Sequence, residues 1–241
     1  MIRVLVNGAK GKMGTEAVKA IDQHPNLELV GALGRNDDLA SEIKKNNAQV
    51  VVDFTNADAV LTSTRIIIES GARPVIGSTG LSLAEIKTFQ KLCNEKKLGG
   101  IIAPNFSLGA VLLMKYSRDI AAYYQHVEII EKHHEKKLDA PSGTALRTAE
   151  LIAQTRKKFP RPSSREKIIG SRGALHEDIP IHALRMPGTV AELEVVFGGL
   201  GETLTLHHNA IDRLSFMPGV CLSCEKVMML DHLVYGLEDI L

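Results

Sequence analysis

The sequence predicts an α/β protein in two parts: a doubly wound parallel sheet first, then an α+β region whose sheet is mainly antiparallel. Three observations carry that prediction. Short β-branched runs alternate with helical patterns through the first hundred residues, the rhythm changes near residue 107, and from about residue 179 apolar residues recur at every second position. Continuous apolar strands separated by helices are buried on both faces, as parallel strands are. Alternation by twos belongs to a sheet with one open face.

In order, the parallel part reads "IRVLVN", "EAVKAIDQH", "LELVGAL", "VVVDF", "AVLTSTRIIIES", "PVIGS", "LAEIKTFQKLCN" and "GGIIAP". After "APNFSLG" come a helix around "AVLLMKYSRDIAAYY", a strand around "HVEIIE" and a helix "GTALRTAELIAQT" whose start is marked by Pro141 and Ser142. "KKFPRPSSREK" reads as an exposed connection. "VAELEVVF" and "ETLTLHH" are strands joined through "GGLG", giving antiparallel sheet, and the tail "GVCLSCEKVMMLDHLVYGLEDIL" reads as helix. A hinge is expected near Ser107 and Arg213, so that a crevice between two domains closes on its ligand.

Composition narrows the function. Lys+Arg 29 against Asp+Glu 28 leaves a net charge of +1, which excludes a surface built to track nucleic acid. Three cysteines give an odd count without a disulfide framework, which points to a reducing compartment; Cys221 and Cys224 fall on an apolar helix pattern and read as core. The amino-terminal apolar run is too short for a signal peptide, and no window approaches a membrane span. A soluble, cytoplasmic protein with no membrane partner is expected.

"VNGAKGKMG" leaves the first strand and opens the first helix, the place where a dinucleotide pyrophosphate meets backbone N–H groups in a Rossmann-like domain. Gly8, Gly11 and Gly14 are spaced G-x-x-G-x-x-G, with Lys10 where the usual fingerprint has its second glycine. The second strand ends in Gly34-Arg35-Asn36: Arg35 is suited to stack on adenine and hold a 2′-phosphate, while Asp37 and Asp38 keep NADH open as well as NADPH. "DFTN" (with Phe54 and Thr55), "GSTG" and "APNF" end further strands, where an open α/β sheet binds its ligand.

"EKHHEKKLDAPSGTA", residues 131 to 145, places His133 four residues before Lys137 and then opens a helix at Ser142-Gly143-Thr144. A histidine gives a proton near neutral pH, a lysine holds a carboxylate, and the helix start cradles an anion. Together they form a site for a small dicarboxylate. His126, Glu131, His133, His134, His207 and His208 are candidate metal ligands, but no HExxH or comparable spacing joins them, and no metal is expected. His207 and His208 fall on opposite strand faces, so at most one points inward, and the roles of His176, His182, Arg185, His207 and His208 stay open.

"EIIEKHHEKKLDAPSGTA" resembles the signature of the dihydrodipicolinate reductase family, and "VNGAKGKMG", "VVDFT", "GSTG" and "APNFSLG" match that family's cofactor motifs in order. The resemblance spans nearly the whole chain. It implies a cytoplasmic homotetramer in the diaminopimelate route to lysine that reduces a cyclic imine dicarboxylate, or its hydrated 4-hydroxy form, with NADPH or NADH. It implies a dinucleotide-binding domain of residues 1–106 and 214–241, the carboxy-terminal helix rejoining it, and a substrate-binding, tetramer-building domain of residues 107–213. His133 stands at the proton donor's position and Lys137 at that of a second catalytic lysine. His134, Gly143 and Thr144 match substrate-binding positions. Gly8, Ala9, Lys10, Gly11, Lys12 and Met13, then Gly77, Ser78 and Thr79, then Ala103, Pro104, Asn105 and Phe106 match cofactor contacts. Two departures stand out: Gly34 occupies the place of an acid that many members carry, and the connection from the second strand to "VVVDF" is short. The alternatives are a related dehydrogenase for another small dicarboxylate and a regulator that senses dinucleotide.

Overall fold

A computed structural model describes residues 1–157, 165–238 and 240–241. Most of the expected connection "KKFPRPSSREK" lies outside the described residues. In chain order the strands are β1 (Ile2–Asn7), β2 (Leu27–Leu33), β3 (Val50–Asp53), β4 (Arg73–Ile76), β5 (Gly100–Ile102), β6 (His126–His133), β7 (Ala174–His176), β8 (Ile179–Arg185), β9 (Ala191–Gly199), β10 (Glu202–Ala210) and β11 (Leu233–Tyr235). The α-helices are α1 (Lys12–Asp22), α2 (Leu39–Lys45), α3 (Val60–Glu69), α4 (Leu83–Lys96), α5 (Leu108–Ile120), α6 (Gly143–Thr155) and α7 (Met217–Lys226). The chain divides into two compact units, Met1–Leu108 with Arg213–Leu241, and Gly109–Asp212.

The first unit is a six-stranded sheet in the order β11-β5-β4-β3-β1-β2, every pair parallel. All four residues of β3 are buried, which is why it reads as an unbroken apolar run ending in an acid. Strand order reverses between β1 and β3, so the ends of those two strands face one crevice.

The tail departs from its all-helical expectation. Helix stops at Lys226, a 3-10 turn covers Val227–Met229, and β11 pairs in parallel with β5. Leu-Val-Tyr has the side chains of a strand, and its pairing closes what would be a bare edge on β5. Cys221 and Cys224 are buried on α7. Burial pushes the Cys93 and Cys221 thiols up to about 11 and Cys224 well above its ordinary value, so none is a thiolate at neutral pH.

The second unit is a five-stranded sheet in the order β10-β9-β6-β8-β7. It is mixed rather than wholly antiparallel, because β6 and β8 run parallel through the crossover helix α6 while the other neighbours are antiparallel. Residues of α5 and α6 pack on one face against Val127, Ile129, Ile179, Ile181, Leu193, Val195 and Phe197. His208 lies against Gly109 on that side, where a glycine Cβ would meet its ring Cδ2 at 2.5 Å. His207 points to the other face and pairs with Glu192, in keeping with strand alternation.

Candidate active site

In the first unit Gly8 has φ +82°, and a Cβ there would sit 2.5 Å from the Phe54 carbonyl oxygen. Only glycine brings the β1 turn so close to the end of β3. The Gly8 and Ala9 N–H groups both donate to Leu33 O, and Gly11 N–H donates to Gly8 O. Those amides hold the turn itself. α1 begins at Lys12 with no side chain capping it, so its first-turn N–H groups have no intrahelical acceptor.

Gly8, Lys10, Gly11, Arg35, Phe54 and Thr55 line one pocket of about 720 Å³, with Thr62, Ser63 and Ile66 of α3 on its wall. Lys10 lies over Gly34: a Cβ on Gly34 would meet Lys10 Cδ and Cε at 3.3 Å and Nζ at 3.4 Å. The Asp37 carboxylate accepts from Gly34 N–H at 2.7 Å, and Asp38 caps α2 through Ser41. Both acids bind their own turn and also line the pocket, where they face Lys10 and Arg35 as opposite charges.

Ala9, Lys12, Met13, Gly77, Ser78, Thr79, Ala103, Pro104, Asn105 and Phe106 do not line that pocket. Most sit at neighbouring strand ends. A Cβ on Gly77 would strike the Phe54 ring at 2.3 Å, and Phe54 meets the buried Phe106 ring edge-on with centroids 5.8 Å apart. Beneath them the buried Asp53 carboxylate accepts from Asn7 Nδ2 (2.9 Å), Thr55 N–H (3.0 Å), Thr55 Oγ1 (2.6 Å) and Ser78 Oγ (2.6 Å). One acid thereby ties the ends of β1, β3 and β4.

In the second unit β6 continues to His133, two residues past the expected "HVEIIE". Strand alternation puts Glu131 and His133 on the same face as Val127 and Ile129, the face covered by helices. Glu131 is fully buried. Its carboxylate binds His133 Nδ1 and accepts from Arg185 (3.0 and 2.8 Å) and from Ser142 N–H (3.2 Å). Burial pushes this carboxyl up, but His133 and Arg185 outweigh it and hold the group below its usual range.

Lys137 follows in the turn after β6, where its N–H donates to His134 O and its Nζ reaches both oxygens of Asp139 at 2.8 Å. Hydrogen bonding to Lys137 lowers the Asp139 carboxyl. Arg185 also donates to Asp139 O at 2.7 Å. Ser142 caps α6 by accepting from Ala145 N–H, and the expected helix start at Gly143 is met. Gly143 is exposed with open space where a Cβ would be, beside the half-buried Thr144. His133, Lys137 and the start of α6 are therefore linked through Glu131, Arg185 and Asp139.

Residues 2–106 match the family described as dihydrodipicolinate reductase, N-terminus, and residues 109–241 the family described as dihydrodipicolinate reductase, C-terminus. The chain belongs to the dihydrodipicolinate reductase family. It is 53% identical over 240 residues to a 4-hydroxy-tetrahydrodipicolinate reductase of Legionella pneumophila (strain Paris), covering 99% of each chain. It is 50% identical to one of Coxiella burnetii (strain Dugway 5J108-111), covering 100% of this chain and 99% of the other. The solved dipicolinate-bound dihydrodipicolinate reductase from Paenisporosarcina sp. TG-14 superposes with a TM-score of 0.90 at 42% identity, covering all of both chains. An amine dehydrogenase from Mycobacterium smegmatis, at 14% identity and a TM-score of 0.65, shares the fold.

Of the residues bonded to the candidate site, Asn7 and Asp139 are not singled out in the sequence, Asp53 enters only within "DFTN", Arg185 only with its role open, and Glu131 only as a metal ligand. The parity of Glu131 with Val127 and Ile129 was the available signal. Among the described residues, the one cluster with metal-ligand geometry is Glu192, Glu194 and His207, and Lys132 already pairs with Glu192 there. Among the described residues no helix is long and apolar enough to cross a membrane.

Proposed function

We propose that the chain reduces the cyclic imine dicarboxylate, or its 4-hydroxy form, to tetrahydrodipicolinate with a reduced nicotinamide dinucleotide, in the diaminopimelate route to lysine. The observation that carries this reading is the joining of His133, Lys137 and the α6 start into one bonded set, in a chain 53% identical to a protein of that name. Residues 1–106 with 214–241 take the dinucleotide role and residues 107–213 the substrate role.

The first-unit pocket fits a dinucleotide: the Gly8 turn has no room for a side chain, and Lys10 and Arg35 line it as cations alongside Asp37 and Asp38. Gly8–Met13, Phe54 and Thr55, Gly77–Thr79 and Ala103–Phe106 would hold it. When bound, the group supplies the hydride. His133 returns a proton to the carbon beside the reduced one, and Lys137, His134 and the Ser142, Gly143 and Thr144 backbone hold the carboxylates. Asp37 and Asp38 share the pocket lining but already accept from their own turns, while Lys10 over Gly34 and Arg35 offer cations to a 2′-phosphate, so NADPH is the preferred donor in this reading.

Three free thiols suit a cytoplasmic setting. Four copies assemble through the face of the second sheet away from α5 and α6, where Lys132, Glu192 and His207 cluster. Sedimentation tests that assembly, and a monomer at micromolar concentration would refute it. The reaction itself is tested by NADPH oxidation on adding the dihydrodipicolinate synthase product. His133→Ala and Lys137→Ala should each lower turnover on the order of a hundredfold or more; near-normal turnover in both removes the assignment. A dinucleotide sensor would bind NADPH without oxidising it.

A further inference from the structure

We infer that Glu131, held by Arg185, is a positioning residue that fixes the proton of neutral His133 on Nδ1 and leaves Nε2 as the nitrogen that gives and takes protons. The inference rests on the proposed role of His133. A carboxylate with no exposed surface costs several kcal/mol to bury unless its partners compensate. Arg185 alone would do so, since its two terminal nitrogens reach both oxygens at 3.0 and 2.8 Å. The carboxylate nonetheless takes two more partners, His133 Nδ1 and Ser142 N–H.

That arrangement sets the tautomer. An ionised carboxylate only accepts, so the ring nitrogen facing it carries hydrogen. Among the described residues Nε2 has no hydrogen-bond partner, and the side chain keeps 16% of its surface exposed. With Nδ1 engaged by Glu131, Nε2 is the ring nitrogen left for a ligand. Arg185 has a second part: besides Leu184 O it donates to Asp139 O at 2.7 Å, anchoring the turn whose carboxylate holds Lys137 Nζ. The acid and the ammonium are thus spaced by one buried ion pair, with β6 and β8 aligned so that His133 lies directly across from Arg185.

Removing the negative charge leaves His133 beside an uncompensated guanidinium, which disfavours imidazolium. In Glu131→Gln the alkaline limb of the kcat profile should move to lower pH by about one unit or more, with turnover at neutral pH falling on the order of tenfold and substrate KM changing less than about threefold. Glu131→Asp restores the charge and should recover part of the shift. The second readout needs no activity: imidazole 15N chemical shifts of His133 in the intact wild-type protein should report the Nδ1–H tautomer, and Glu131→Gln should lose that preference. An Nε2–H tautomer in the wild type, or a folded Glu131→Gln with an unmoved limb and unmoved 15N shifts, overturns the inference. Near-normal turnover in His133→Ala would sink the proposed role of the acid while leaving the tautomer result to stand or fall separately.

Discussion

Asp53 and Glu131 are both fully buried acids near the carboxyl end of a parallel-paired strand, one in each unit, and they differ in what satisfies them. Asp53 is held by an amide, two hydroxyls and a backbone N–H, all neutral; Glu131 is held by a guanidinium and an imidazole as well as a backbone N–H. Neutral donors fix loop ends without changing any neighbour's proton affinity. Charged partners couple position to protonation. Buried carboxylates in one fold can therefore serve as a brace in one unit and as a proton-setting group in the other.

The comparison can be broken most severely by truncation. Glu131→Ala leaves the half-buried Arg185 guanidinium without its counter-charge and should cost about 3 kcal/mol or more of stability. Asp53→Ala strands only neutral donors and should cost less, about 1–3 kcal/mol. Denaturant midpoints on the full chain decide it, and equal losses would erase the distinction. Isosteric changes sharpen it: Asp53→Asn should raise dinucleotide KM severalfold with no movement of the kcat–pH profile, unlike the shift expected for Glu131→Gln.

Acid stability gives a further contrast. The Glu131 carboxyl is depressed in the folded state, so its contribution is present above the unfolded value of about 4.3 and is lost as pH falls through the lower folded value. Glu131→Gln should flatten the stability–pH curve below about pH 4.3, measured by denaturation at a series of pH values. Lys10→Ala should reduce the NADPH-over-NADH preference on the order of tenfold in kcat/KM, as expected for one lost ion pair to a 2′-phosphate. Asp139→Asn is the mildest: its side chain is 64% exposed, so stability should change by less than about 0.5 kcal/mol.

Local features of the fold were legible because their signals are local. The β1 turn, the strand "LELVGAL" and the Ser142 cap each announce themselves within a few residues. The partner of Glu131 was not legible, since Arg185 lies 54 residues away and meets it only because β6 and β8 pair in parallel. The tail failed for a similar reason: Leu-Val-Tyr becomes a strand by finding the edge of β5, a pairing across more than a hundred residues. Gly34 was read as a missing acid, whereas the fold puts Lys10 in that space.

β11 has a consequence for synthesis. The second unit is inserted between β5 and the segment that completes the first sheet, so a growing chain presents the unpaired side of Gly100–Ile102 throughout the production of residues 109–212. At about 5–20 residues per second that interval lasts on the order of ten seconds. The nascent edge is only three residues long, which limits its capacity to recruit a stray strand from a neighbouring ribosome.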